Sequence, residues 1–217
     1  MGSPDRVAIE YGLPAAAEAG AMAKFLGETF SRRDPAAYAV GLTADEFEGF
    51  ARLLCPKAVT DGLTIVARRA DTRELIGVML NEDCASPMPD GMERLGRKFD
   101  PILDILGQLG AEYWGDRQPK AGEALHLYLL GVAEEFTGRG VAQRLVTDCL
   151  ELGAQVGYRL AVTEATNKIS QHVFRKLGFV ERVSRSYESH SFNGRACFTS
   201  IAEHGGPMLM DRAISRA

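Results

Sequence analysis

The stretch GVAEEFTGRGVAQRLVTDCLELG, Gly131 to Gly153, constrains the fold more than any other in this chain. An apolar run ends in two glutamates, the chain turns through Gly138 and Gly140, and apolar residues then recur at helical spacing. A strand ending at about Ala133, a short loop and a helix from about Arg139 direct several unpaired N–H groups into one concavity. Such a concavity binds anions, because first-turn N–H groups and the helix dipole favour negative charge and glycine lets phosphate oxygens approach. A plain strand-to-helix turn needing a positive φ at one glycine would use the same residues. Two nucleotide signatures are excluded. The dinucleotide fingerprint needs a third glycine where Gln143 stands, and no G-x-x-x-x-G-K-[ST] occurs in the chain.

Around this unit the periodicity predicts a mixed order of elements. RVAIEY alternates as a first strand, and AAAEAGAMAKFLGETFSRR and TADEFEGFARLLC carry helical spacing. GLTIVARRA and ELIGVMLNED read as an antiparallel hairpin turning at Asp71 and Thr72, and Met92 to Trp114 returns to helical spacing. EALHLYLLGVA, GRGVAQRLVTDCLELGAQVG, RLAVTEA, NKISQHVFRKLG and FVERVSRSYE then alternate strand and helix, and PMLMDRAI closes the sheet. The expected class is α/β (α+β), a sandwich with parallel or mixed central strands.

With 217 residues, 46% apolar and 25% charged, the chain has the length and composition of one soluble domain. A net charge of -4 gives no footprint for nucleic acid. No stretch approaches the roughly 18 apolar residues of a membrane span, and the start lacks a secretory pattern, so a cytoplasmic protein is expected. Cys55, Cys84, Cys149 and Cys197 are scattered, with neither CxxC nor zinc-ligand spacing, and read as reduced small hydrophobes.

The hexapeptide TGRGVA, Thr137 to Ala142, resembles the acetyl-coenzyme A loop of the GNAT superfamily, whose signature is [Q/R]-x-x-G-x-[G/A]. Gly140 and Ala142 match, while Thr137 stands where Gln or Arg is usual. ATNKISQHVFRKLGFVE resembles the family's next segment, with Asn167, Lys176, Gly178 and Phe179 in register. The chain is most similar to the arylalkylamine N-acetyltransferases. That resemblance implies a GNAT-like sheet of about seven strands with helices on both faces. It also implies one acetyltransferase domain over residues 1–217, with a cofactor core at about 123–188 and a helical insertion at about 84–122. The implied donor is acetyl-CoA and the acceptor a small-molecule primary amine, often aromatic; a monomer or homodimer is expected.

Acetyl transfer needs a deprotonated amine, a polarised carbonyl and a proton for the leaving thiolate. Two-residue spacing puts His126 and Tyr128 on one strand face, together with Leu130 and Val132. His126 is either a base near neutrality or a packed core histidine, and the resemblance favours the base. The insect-like relatives also point to Asp34, before Pro35, as a runner-up base, although Asp-Pro is equally a turn and helix cap. Phe174 occupies the position of the family's usual acid tyrosine, so either Tyr128, Ser170 or water is the proton donor, or the thiolate departs unassisted. The expected cofactor residues are the backbone of Leu130 and Val132 for the pantetheine arm, and Thr137, Gly138, Arg139, Gly140, Val141 and Ala142 for the pyrophosphate. Asn167 and Phe174 are expected along the far side of the channel. Glu134 and Glu135 should face solvent. Met88, Met92, Phe99, Tyr113 and Trp114 are either acceptor-pocket walls or one face of a covering helix. Thr137 and Phe174 also permit a second reading, a non-catalytic module binding coenzyme A or a metabolite.

Overall fold

The structure, a computed structural model, describes residues 7–215. Arg6, which begins the first expected strand, lies outside them. Among the described residues seven strands form one mixed sheet in the order β1-β2-β3-β4-β5-β7-β6. They are β1 (Ile9–Gly12), β2 (Ile65–Arg69), β3 (Leu75–Asp83), β4 (Ala124–Val132), β5 (Leu160–Ala165), β6 (Val180–Ser184) and β7 (Met208–Ala213). Only β4 and β5 pair in parallel, joined by the crossover helix α5 (Val141–Val156). Every other neighbouring pair is antiparallel.

Helices cover both faces. On one lie α1 (Ala19–Arg33), α3 (Ala44–Asp61) and α4 (Asp100–Trp114). On the other lie α5 and α6 (Lys168–Lys176). The alternation of β4 divides its side chains between two cores. Leu125 and Leu127 pack with Leu145, Val146 and Phe174 under α5 and α6. Leu129 joins Met22, Leu26, Phe50 and Leu54 under α1 and α3. α1 and α3 cross closely because Gly27 has no side chain, and a Cβ there would lie 2.6 Å from the Ala44 carbonyl oxygen.

Sequence periodicity missed one element and overextended another. The five-residue helix α2 (Pro35–Ala39) follows α1 directly. It starts at an Asp-Pro step, where proline fits the first helical turn and Asp34 caps it. The expected helical run from Met92 is a short 3-10 turn at Met92–Arg94 followed by irregular chain, and the α-helix begins at Asp100.

Candidate active site

The central sheet splits where β4 and β5 part. Their ladder runs through Ala124↔Leu160, Leu125↔Ala161 and His126↔Val162, then stops. One more link follows, in which the Thr163 hydroxyl donates to the Leu127 carbonyl at 2.8 Å. On its other side β4 stays paired with β3, but the register changes from Asn81↔Leu127 to Leu80↔Leu129, so Tyr128 is an extra, unpaired residue. This is a β-bulge, which reverses which face later side chains take. The expectation that His126, Tyr128, Leu130 and Val132 share one face is therefore corrected. Val132 and Leu130 pack on the α5 side, while Tyr128 packs on the α3 side with its ring edge-on to Phe50 at 6.2 Å.

Beyond the bulge the Ala133 amide donates to the Ile76 carbonyl at 2.9 Å. Narrow and wide pairs alternate in an antiparallel ladder, so Leu130 and Val132 turn their own N–H and C=O groups away from β3 and into the split. At the end of this open edge Gly138 and Gly140 take φ of +74° and +81°, and a Cβ on either would meet nothing within 4 Å. Gly140 is the N-cap of α5, and no side chain caps that helix. The first-turn N–H groups thus point into open space, a cradle suited to phosphate. Glu134 and Glu135 are exposed, as expected. Thr137 spends its hydroxyl on the Glu134 carbonyl at 2.6 Å. The open edge and the uncapped cradle together fit a pantetheine arm and a pyrophosphate.

Two other expected channel residues are engaged in and under α6. The Asn167 side chain caps α6, accepting from the Ile169 and Ser170 amides at 3.0 and 2.9 Å. Phe174 is 2% exposed and packs edge-on to Phe179 at 5.0 Å, which makes it a core residue under α6. The Ser170 hydroxyl donates to the Asn167 carbonyl at 2.9 Å, completing the cap. The five apolar residues between Met88 and Trp114 do not form one wall. Phe99 is buried among Phe47 and Phe50, Met88 is exposed, and the Tyr113 hydroxyl donates to Asp211 at 2.6 Å.

His126 lies at the bottom of the split, held between two carboxylates that the motif search did not single out. Its Nδ1 is 3.1 Å from Glu82 Oε1 and its Nε2 is 2.6 Å from Glu164 Oε2. The ring stacks on Tyr128 at 4.7 Å. Burial alone would lower the imidazole pKa, but the charges and hydrogen bonds of Glu164 and Glu82 outweigh it and push it up to about 10. Burial works to raise Glu164, and the His126 charge holds it below the ordinary carboxylate range. His126 is consequently an imidazolium with both nitrogens engaged, and in that state it accepts no proton at neutral pH. The pairing of Glu82 with His126 across β3 and β4 follows from strand register, which no local spacing encodes.

Asp34 has the profile that His126 lacks. It is 8% exposed at the junction of α1 and α2. Its Oδ1 accepts from the Ala37 amide at 2.8 Å and its Oδ2 from the Thr166 hydroxyl at 2.5 Å. Burial raises its pKa, against the hydrogen bonds from Thr166, Ala37 and Ala36. Thr166 is itself fixed, because the buried Tyr187 donates to its carbonyl at 2.9 Å. Each carboxylate oxygen keeps accepting capacity beyond the bond it makes.

Split sheet, bulged β4 and uncapped α5 together make up a fold of the GNAT type. Residues 88–179 match the acetyltransferase (GNAT) family model. The whole fold is similar to solved structures. The C-terminal condensation domain of Ebony in complex with beta-alanyl-dopamine matches with a TM-score of 0.85 at 14% identity, over 96% of this chain and 100% of that one. Arylalkylamine N-acetyltransferase 2 from Aedes aegypti matches with a TM-score of 0.79 at 22% identity, over 95% and 99%. The Drosophila melanogaster polyamine N-acetyltransferase, which forms N-acetylagmatine, matches with a TM-score of 0.74 at 17% identity, over 95% and 100%. At these identities the likeness is one of fold. Among the described residues no helix is long and apolar enough to cross a membrane.

Proposed function

We propose that this chain is an acetyl-coenzyme A-dependent N-acetyltransferase that acetylates the primary amine of a small molecule by direct transfer with general base catalysis. The observation that carries the reading is the split itself. It has an open β4 edge leading to an uncapped helix N-terminus on one side, and a buried carboxyl of raised pKa bonded to Thr166 just beyond β5 on the other. The names of the similar proteins support amines as the acceptor class, since they include arylalkylamine and polyamine N-acetyltransferases. Residues 123–188 would form the donor core, and the segment 84–122, which contains α4, would flank the acceptor.

Acetyl-coenzyme A, when bound, supplies the acyl group as a thioester and takes away the electron pair as a thiolate. Leu130 and Val132 hold the pantetheine arm as an added strand, and the N–H groups from Gly138 to Ala142 hold the pyrophosphate. Asp34 accepts the amine proton. A carboxyl pushed upward by burial suits that task, because a base works best with a pKa near the operating pH. His126 stays a fixed cation that keeps Glu82 and Glu164 from repelling each other.

The acid has no protein candidate. Burial and the charges of Glu82 and Glu164 raise the Tyr128 phenol well above its ordinary value. A phenol so raised holds its proton more tightly than a thiol of pKa about 8.5, so it offers a hydrogen bond rather than the proton itself. Ser170 donates to the Asn167 carbonyl. The thiolate leaves unassisted and takes up its proton from the bulk solvent once it is outside the site.

Thiol release from acetyl-coenzyme A against aromatic monoamines, polyamines, aminoglycosides and amino acids, with calorimetry of coenzyme A binding in parallel, tests this reading. Turnover on one amine class is the expected result. Tight coenzyme A binding with no turnover on any class would replace it with a non-catalytic binder.

A further inference from the structure

Arg33 and Asp34 are sequence neighbours that bond to the two strands flanking the split. Arg33 Nη1 donates to the Val132 carbonyl on β4 at 2.9 Å, while Asp34 accepts from Thr166 just beyond β5 at 2.5 Å. The α1–α2 junction therefore straddles the opening. Position at a helix C-terminus explains a basic residue there in general. It does not explain a bond to the open edge of β4, reaching across 99 positions of sequence.

Three features make Arg33 more than a prop. Its anchor, the Val132 carbonyl, faces the split, and a carbonyl oxygen has capacity for a second donor. Arg33 is exposed and, among the described residues, makes a single hydrogen bond, which leaves the other N–H groups of its fork available. The phosphate cradle also lacks a long polar or basic side chain at its first position. The loop has Thr137 where a longer polar or basic side chain is usual, Arg139 lies over the Phe136 ring at 5.2 Å, and Arg144 is bound to Asp148 at 2.6 Å.

We propose that Arg33 is a donor-binding residue. It stays on the Val132 carbonyl and turns its remaining N–H groups to the phosphates of coenzyme A, supplying from α1 the charge that Thr137 does not supply from the loop. The proposal rests on coenzyme A being the donor. Asp34 is anchored independently on Thr166 and Ala37, so losing Arg33 weakens the donor complex and leaves the base in place.

The test is calorimetry of coenzyme A and of pantetheine, which lacks the phosphates, on the wild type, Arg33→Gln and Arg33→Lys, with melting temperatures as a check on folding. Gln keeps an amide donor for Val132 and removes the charge. It is expected to weaken coenzyme A about tenfold, the scale of one charge-assisted hydrogen bond. Pantetheine affinity, and kcat at saturating acetyl-coenzyme A, should stay within about twofold of wild type on the same scale. Lys, which keeps the charge but not the fork, should recover part of the coenzyme A affinity. The proposal is overturned if Arg33→Gln binds coenzyme A as tightly as the wild type, or if coenzyme A and pantetheine weaken by the same factor. A wild type that binds no coenzyme A would instead remove the donor reading itself.

Discussion

The Thr166 hydroxyl donates to Asp34 Oδ2 at 2.5 Å, joining residues 132 positions apart and fixing the α2 N-terminus to the end of β5. If Asp34 is the base, Asp34→Asn lowers kcat by about a hundredfold or more. It should leave the fold nearly intact, because Asn caps a helix as well as Asp does. The bond to Thr166 holds the Asp34 pKa down, so Thr166→Val raises it further and moves the acidic limb of the kcat/KM profile to higher pH. A profile in Thr166→Val that overlays the wild type would remove Asp34 from the proton path.

His126 sits between Glu82 and Glu164, which gives a stability prediction with a definite sign. Its folded pKa, raised to about 10, lies above the unfolded value of about 6.5. The stabilisation is therefore complete below about pH 6.5 and is lost as pH rises through about 10. His126→Gln removes the cation and leaves two facing carboxylates, a loss of about 3 kcal/mol or more. Chemical denaturation of the two proteins at pH 7 and pH 10 should show the gap narrowing at high pH. A gap that widens instead would mean that His126 is neutral in the folded protein.

Gly140 holds a φ of +81° at the N-cap of α5. Gly140→Ala costs about 1 kcal/mol from backbone strain alone, since the new Cβ meets no neighbour. A second effect belongs to the ligand, because the methyl group stands in the cradle and weakens coenzyme A binding. Melting curves read the first effect and calorimetry the second. Lower stability with unchanged affinity would make Gly140 a turn residue only.

Tyr128 is a neutral phenol stacked on the His126 ring at 4.7 Å. As a phenol that keeps its proton, it supplies packing and one hydrogen bond, so Tyr128→Phe should lower kcat by less than about tenfold. A fall of a hundredfold or more in steady-state rates, the scale of general acid catalysis, would reinstate Tyr128 as the acid.

Much of this architecture was legible in the chain because its signals are local. The strand–glycine–helix unit around Gly138 and Gly140, the hairpin of β2 and β3, and the helices α5 and α6 all came from period and turn chemistry. What escaped was set by register between distant strands. The bulge at Tyr128 exists only in the pairing of β4 with β3, and it moved Leu130 and Val132 to the other face. Glu82 and Glu164 look like ordinary polar positions in their own strands, and only the alignment of three strands makes them partners of His126. Asp34 could be read as a cap or as a candidate base, and the structure gives it both the cap and a buried, raised carboxyl.

The sheet order also bears on how the chain comes off the ribosome. β7, the last strand to be synthesised, lies between β5 and β6 rather than at the rim. Until residues 208–213 emerge, β6 has no neighbour to pair with and β5 presents a bare edge beside the split. A nascent chain halted before Met208 would hold a finished α5 cradle next to an unfinished sheet, an open template for pairing with another chain. The sheet is thus complete only when β7 has paired with both β5 and β6.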